Sequence, residues 1–239
     1  MDKLQIYLYN RLYGGELKVH YCISDIHGEY ERFEKMLNVI QFSGEDILYV
    51  LGDVIDRQPC GLKIIEKIMN TPNMMLLRGN HEQMMLDDLG PIPIWGARDL
   101  WTYNGGDCTR SDLLFFHSRQ ERREILEYVA TLPTTIEIVL PASANYMEKR
   151  KFLLVHGFPV NNTHDCLWKR ISAETENPIP GTTVVVGHTP TCFLSGRYKE
   201  SFRIWKQPGI IDIDCGCGQD TPYRRLACLR LEDMREFYV

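Results

Sequence analysis

"MMLLRGNHEQMM", residues 74–85, is the stretch on which the reading of the fold turns. Met74 to Leu77 form an apolar run of the kind that fills a buried strand, and the run stops at Arg78. Gly79, Asn80, His81 and Glu82 follow without a break. An amide, an imidazole and a carboxylate at the exit of a strand are groups that bind ions or move protons, and the glycine lets the backbone turn sharply there.

The pattern recurs along the chain. "KVHYCIS" (18–24), "DILYVLG" (46–52), "KFLLVHG" (151–157) and "TTVVVGH" (182–188) are further short apolar runs. "GIIDID" (209–214) and "LACLRLE" (226–232) read as two more strands. Amphipathic helices are predicted over 29–41, with Phe33, Met36, Leu37 and Ile40 on one face, and over 61–70, with Leu62, Ile65 and Ile68 or Met69 on one face. Strand, helix, strand, helix, strand predicts a parallel sheet with right-handed crossovers, whose ligands sit beyond the carboxyl ends of the strands. Residues 83–150 read as a mainly helical insert between two sheet halves, with 120–132 its clearest helix.

The strand ends supply the chemistry. "SDIHG" gives Asp25 and His27, "GDVIDR" gives Asp53, Asp56 and Arg57, and "RGNHE" gives Arg78, Asn80 and His81. "VHG" gives His156 and "GHTP" gives His188. Taken singly, Asp25 or Asp53 reads equally well as a helix N-cap, and a lone His156 or His188 is more often a satisfied buried histidine than a ligand. Five such endings in chain order argue for one shared edge. Asp, His and Asn donors suit a divalent transition ion such as Mn, Fe or Zn. Six candidate ligands exceed the three of a catalytic zinc but fit two ions sharing a carboxylate, the clamp used for displacement at phosphorus. His20, His117 and His164 read as ordinary histidines, and Glu82 as structural support.

Bulk composition narrows the classes. The 239 residues carry 27 basic and 32 acidic side chains, a formal charge of −5, which excludes a global basic field for nucleic acid or anionic membrane. Trp95, Trp101 and Trp205 read as core or rim residues rather than a base-stacking platform. No apolar run approaches eighteen residues, so no membrane span is expected. The eight cysteines form no CxxC pair and several sit inside apolar runs, which points to reduced thiols in a cytoplasmic protein. Residues 1–17 lack the apolar segment of a signal peptide and read as an N-terminal extension of a single domain covering 1–239. The sequence sets no oligomeric state.

The ordered set "DIHG…GDVIDR…RGNHE…HG…GHT" resembles the phosphoprotein phosphatase family of metallophosphoesterases over about residues 18–232. "RGNHEQMM" and the later "NGG" look most like the compact bacterial and bacteriophage lambda type of Ser/Thr protein phosphatase. The resemblance implies an α/β fold, a four-layer α/β/β/α sandwich with two metal ions at the top of the central sheets, manganese foremost and iron or zinc as alternatives. It implies that Asp25 and His27 hold the first ion, that Asp53 bridges, and that Asn80, His156 and His188 complete the second. A metal-bridging hydroxide would attack phosphorus in line. His81 would be the general acid, oriented by Asp56, and Arg57, Arg78 and Arg170 (in "LWKR") would hold phosphoryl oxygens. The implied substrate is a phosphorylated protein, on Ser/Thr and also Tyr, or a small phosphoester. The rival is symmetrical hydrolysis of dinucleoside polyphosphates. Enzymes of that kind usually read "GNHD" and often replace the aspartate found here as Asp56, so "GNHE" and Asp56 favour the phosphomonoesterase. A catalytically silent binding module would have lost a ligand or His81, and none is missing. Two departures stand out: Gln58 follows "GDVIDR" where glycine is usual, and Cys215 in "DIDCGCG" (212–218) stands where threonine is common. Cys215 and Cys217 read as strand packing rather than a metal site.

Overall fold

The computed structural model describes residues 18–142, 147–160, 162–194 and 201–239. The 1–17 extension and the His164 side chain lie outside that description. In chain order the first sheet half runs β1 (Val19–Ile23), α1 (Tyr30–Val39), β2 (Asp46–Val50), α2 (Gly61–Met69) and β3 (Met74–Leu76). Four helices follow: α3 (Asn80–Leu89), α4 (Ala97–Tyr103), α5 (Asp107–Phe116) and α6 (Arg119–Thr131). The second half comprises β4 (Thr135–Leu140), β5 (Arg150–Val155), α7 (Thr163–Trp168), β6 (Thr182–Val186), β7 (Trp205–Gln207) and β8 (Ile210–Asp212). The chain then returns to the first sheet with β9 (Ala227–Arg230) and β10 (Arg235–Tyr238).

Two five-stranded mixed sheets result, ordered β10-β9-β1-β2-β3 and β4-β5-β6-β8-β7. β1, β2 and β3 are parallel, as are β5, β6 and β8, so each sheet delivers three strand exits to one edge. β9, β10, β4 and β7 pair antiparallel with their neighbours.

Alternation along each strand builds the layers. Tyr21 and Ile23 of β1, with Leu48 and Val50 of β2, pack against Phe33 and Met36 of α1 and Leu62 and Ile65 of α2. Cys22 and Tyr49, which point the other way, meet Phe152, Leu154, Val185 and Ile211 of the second sheet. On that sheet's far side Val184, Val186 and Ile210 cover Leu167 of α7. Strands apolar on both faces belong between two covering layers, and the expected α/β/β/α sandwich is the fold observed. Cys215 packs between the sheets and Cys217 on the helix side of the first sheet, so the two thiols serve separate cores.

The segment 83–150 differs from expectation at its end. Helices fill it to Thr131, α6 being closed by a reciprocal cap in which Ser118 accepts from the Glu121 amide and Glu121 from the Ser118 amide. Thr135–Leu140 is then a strand of the second sheet, paired along its length with β5. β7 and β10 were likewise not foreseen.

Just beyond α1, Gln41 holds φ 52°, the left-handed turn at which glycine ordinarily ends a helix. Gln41→Gly is expected to stabilise the chain by up to about 1 kcal/mol, raising Tm by roughly 2–4 °C with unchanged rates. A lower Tm in a thermal melt would show that the glutamine side chain contributes more than its backbone costs.

Candidate metal and phosphate site

The site grows from tight turns after β1, β2, β3, β5 and β6. Of the eight non-glycine residues with positive φ among the described residues, six are candidate site residues: Asp25, His27, Asp53, Asp56, Arg57 and His188. Each such turn costs on the order of 1–2 kcal/mol for a residue with a side chain. The neighbouring glycines are in close approach to the site residues. A Cβ on Gly79 would collide with the Asp53 carboxylate, and one on Gly187 with Ser24 and Asp25.

Hydrogen bonds fix the imidazoles. His27 donates from Nδ1 to Ile55 O at 3.0 Å and His156 from Nδ1 to Leu51 O at 2.7 Å, which turns both Nε2 atoms toward Asp53. His188 donates from Nε2 to Trp168 O at 3.1 Å, leaving Nδ1. A backbone carbonyl holding the second ring nitrogen is the usual way a metal-binding histidine is oriented.

Asp53 sits at the centre. Its Oδ2 is 3.8 Å from His27 Nε2 and 3.8 Å from His81 Nε2, while Oδ1 is 3.3 Å from His156 Nε2. Two three-residue groups, His27–Asp53–His81 and Asp53–His156–His188, have ligand atoms within 4.8 Å of one another, and Asp53 belongs to both. Asn80 Oδ1 is 2.9 Å from His156 Nε2, and Asp25 Oδ1 is 3.9 Å from His27 Nε2. All these side chains are buried.

The electrostatics call for cations. Burial works against a charge on His156, but Asp53, Asp25 and Glu82 outweigh it and raise the imidazole to about 10. Burial and His156 push His188 down to about 3. Burial also opposes the Asp53 carboxylate, yet His156, His81 and His27 hold it well below the usual range. Buried carboxylates that draw a proton onto a histidine suit divalent ions, and this oxygen and nitrogen donor set fits a transition metal.

His81 donates from Nδ1 to Asp56 Oδ2 at 2.6 Å and lines a cavity of about 290 Å³ with Arg57, Arg170, Asn80 and His188. Despite Gln58 behind it, Arg57 reaches the cavity, with Nη2 3.4 Å from His81 Nε2. Arg78 is the correction. Its guanidinium bonds to Gln83 Oε1 at 3.1 Å and Ala130 O at 2.7 Å, and it is absent from the cavity lining. It ties the exit of β3 to the last turn of α6 instead of facing a phosphoryl group.

Asp214 went unread in the sequence, and Glu82 was read only as structural support. Asp214 lines the cavity at the exit of β8, and burial raises its carboxyl well above the usual range. The signal was there, since "DIDCGCG" ends a strand in carboxylates as the metal motifs do. Glu82 is fully buried, and its two oxygens accept the amides of Asp53 (2.8 Å), Val54 (2.9 Å) and Gly79 (2.8 Å). Glu82→Ala orphans three buried donors and is expected to destabilise the chain by about 3–5 kcal/mol, read by urea unfolding in chelator. A loss under 1 kcal/mol would mean that water replaces the carboxylate.

This sandwich, with clustered Asp, His and Asn at its strand exits, defines a metallophosphoesterase. The chain belongs to the calcineurin-like phosphoesterase family, whose profile matches residues 21–206. It is 32% identical to serine/threonine-protein phosphatase 2 of Escherichia coli (strain K12) over 123 residues, 49% of this chain and 51% of that protein. It is 42% identical to the symmetrical bis(5'-nucleosyl)-tetraphosphatase of Wigglesworthia glossinidia brevipalpis over 69 residues, 28% of this chain and 25% of that one. The match thus spans about half, or less, of these curated relatives. In fold it resembles a protein serine/threonine phosphatase of Saccharomyces cerevisiae, with TM-score 0.60, 12% identity, and 95% of this chain and 80% of that one covered. No helix among the described residues is long and apolar enough to cross a membrane.

Proposed function

We propose that the chain is a dinuclear-metal phosphomonoesterase acting on phosphorylated proteins, at Ser/Thr and also Tyr. Asp25, His27 and Asp53 would hold one ion, and Asn80, His156 and His188 the other with Asp53 shared. Manganese is the first choice for assay. The ions, when bound, supply charge neutralisation and a water acidic enough to become a nucleophile. Arg57 and Arg170 offer charge-assisted donors to the phosphoryl oxygens. His81 holds a proton at Nε2 for the leaving group, and Asp56 keeps the ring aimed.

The observation that carries this reading is the 2.6 Å bond between His81 and Asp56 beside the cavity. A seryl or threonyl alkoxide cannot depart without a proton, so a carboxylate-held histidine is needed. A nucleotide phosphate leaves as a stabilised anion and needs that acid less. The cavity of about 290 Å³ is also at the small end of ligand clefts, suiting a phosphoryl group more than an enclosed dinucleotide. Buried reduced thiols at Cys22, Cys215, Cys217 and Cys228 support a reducing, cytoplasmic setting.

The test is a panel of purified protein with Mn, Fe, Zn or Mg against a phosphoserine peptide, a phosphotyrosine peptide, phenyl phosphate and diadenosine tetraphosphate. The peptides should give the highest kcat/KM. A higher value for the dinucleotide would transfer the chain to the tetraphosphatase reading. Chelation should abolish turnover, and metal at about 100 Kd should return it while adding about 2.7 kcal/mol of stability, a rise in Tm of roughly 5–10 °C. Full activity in chelator would remove the metal chemistry.

A further inference from the structure

We infer that Trp101 is a positioning residue for proton transfer, acting as the third member of a His81–Asp56–Trp101 relay of hydrogen bonds. Trp101 Nε1 donates to Asp56 Oδ2 at 2.7 Å, the same oxygen that accepts His81 Nδ1 at 2.6 Å. Asp56 is completely buried, and its other oxygen, Oδ1, has no hydrogen-bond partner among the described residues. Both donors converge on one atom of an anion that has no other side-chain donor among the described residues. Either donor alone leaves the carboxylate free to rotate about its Cβ–Cγ bond. Together they define its plane, and through it the direction of the imidazole.

The surroundings serve the same purpose. Trp101 is 1% exposed, and Gly106 lies so close to the indole that any Cβ there would strike the ring. The Asp56 amide donates to Thr109 Oγ1 at 2.9 Å, and the Arg57 amide to Gly105 O at 3.0 Å. The α4–α5 segment therefore grips the Asp56–Arg57 turn at three points, across 45 to 53 residues of sequence. Asp56 and Arg57 hold φ of 71° and 66°, so this turn does not maintain itself by local preference. A side chain buried as deeply as Trp101 is ordinarily core, but an indole N–H spent on a catalytic carboxylate gives it a second duty.

The inference rests on His81 as general acid, and the experiment separates the two claims. Trp101→Phe removes the N–H, and β-(3-benzothienyl)alanine incorporated at 101 removes it while keeping the ring's volume. The second replacement decides the matter where the smaller phenyl ring disturbs folding. Each is assayed on phenyl phosphate, a poor leaving group, and on 2,4-dinitrophenyl phosphate, which needs no acid. Loss of the N–H should lower kcat on phenyl phosphate about 10- to 100-fold, with less than threefold change on the dinitrophenyl ester, KM and bound metal remaining as before. In an Asp56→Ala background the Trp101 replacement should add nothing, as a shared route requires. Equal losses on both esters, no loss on either, or full additivity with Asp56→Ala would overturn the positioning role. His81→Asn is run beside them: if it fails to discriminate between the esters, the acid assignment falls. If it discriminates and the Trp101 variants do not, only the present inference falls.

Discussion

Asp53→Asn is expected to lose metal and turnover together. Asp53 alone belongs to both ligand groups, with one oxygen toward His27 and His81 and the other toward His156. The amide is nearly isosteric, and its oxygen can still accept the His81 amide, which now bonds to Oδ1 at 3.0 Å. What disappears is one negative charge at the point that two cations would share on the proposed reading. Lewis-acid stabilisation is worth several kcal/mol, and each 1.4 kcal/mol is a decade of rate, so kcat/KM should fall by roughly three orders of magnitude or more. The checks are metal content per chain by mass spectrometry and kcat/KM on a phosphoserine peptide. Two ions retained at full occupancy would remove Asp53 from the shared position.

His81→Asn separates binding from proton transfer. The imidazole is held by Asp56 on one side, with Nε2 beside the cavity, and asparagine can neither donate a labile proton there nor reach Asp56 in the same way. General acid catalysis contributes about 10²–10⁴-fold, so kcat on phenyl phosphate or a phosphopeptide should drop by that factor while both ions remain bound. On 2,4-dinitrophenyl phosphate the loss should be small. Unchanged turnover on the poor leaving group would sink the acid role. Structural collapse is controlled by the Asp53 contacts, since the backbone amide of residue 81 that bonds to Asp53 survives the substitution.

How legible this site was in the sequence depends on how local the relevant physics is. Asp25, His27, Asp53, Asn80, His156 and His188 each follow a short apolar run, and a parallel sheet carries such exits to one edge, so their convergence was readable. Arg78 shows the limit. Motif position places it beside Gly79, but the side on which its long chain leaves is decided by Ala130 and Gln83. Trp101, Thr109 and Glu82 act through bonds to residues 28 to 53 positions away, and no spacing rule reaches that far. β4 was hidden by its edge position: Glu137 and Val139 face solvent in "TIEIVL", which follows a long helix and lacks the continuous apolar character of the buried strands. The charges in "REFY" concealed β10 in the same way.

The left-handed turns of the rim have a consequence for how the enzyme fails. Six candidate site side chains stand on backbone that would relax elsewhere if released, so their alignment is borrowed from the docked sheets rather than stored in the loops themselves. Under rising denaturant the catalytic edge should therefore disarm first, with activity vanishing at urea concentrations where circular dichroism still reports intact sheets and helices. A damaged copy would then fall silent before it unravels, instead of hydrolysing phosphate esters indiscriminately from a half-open cleft.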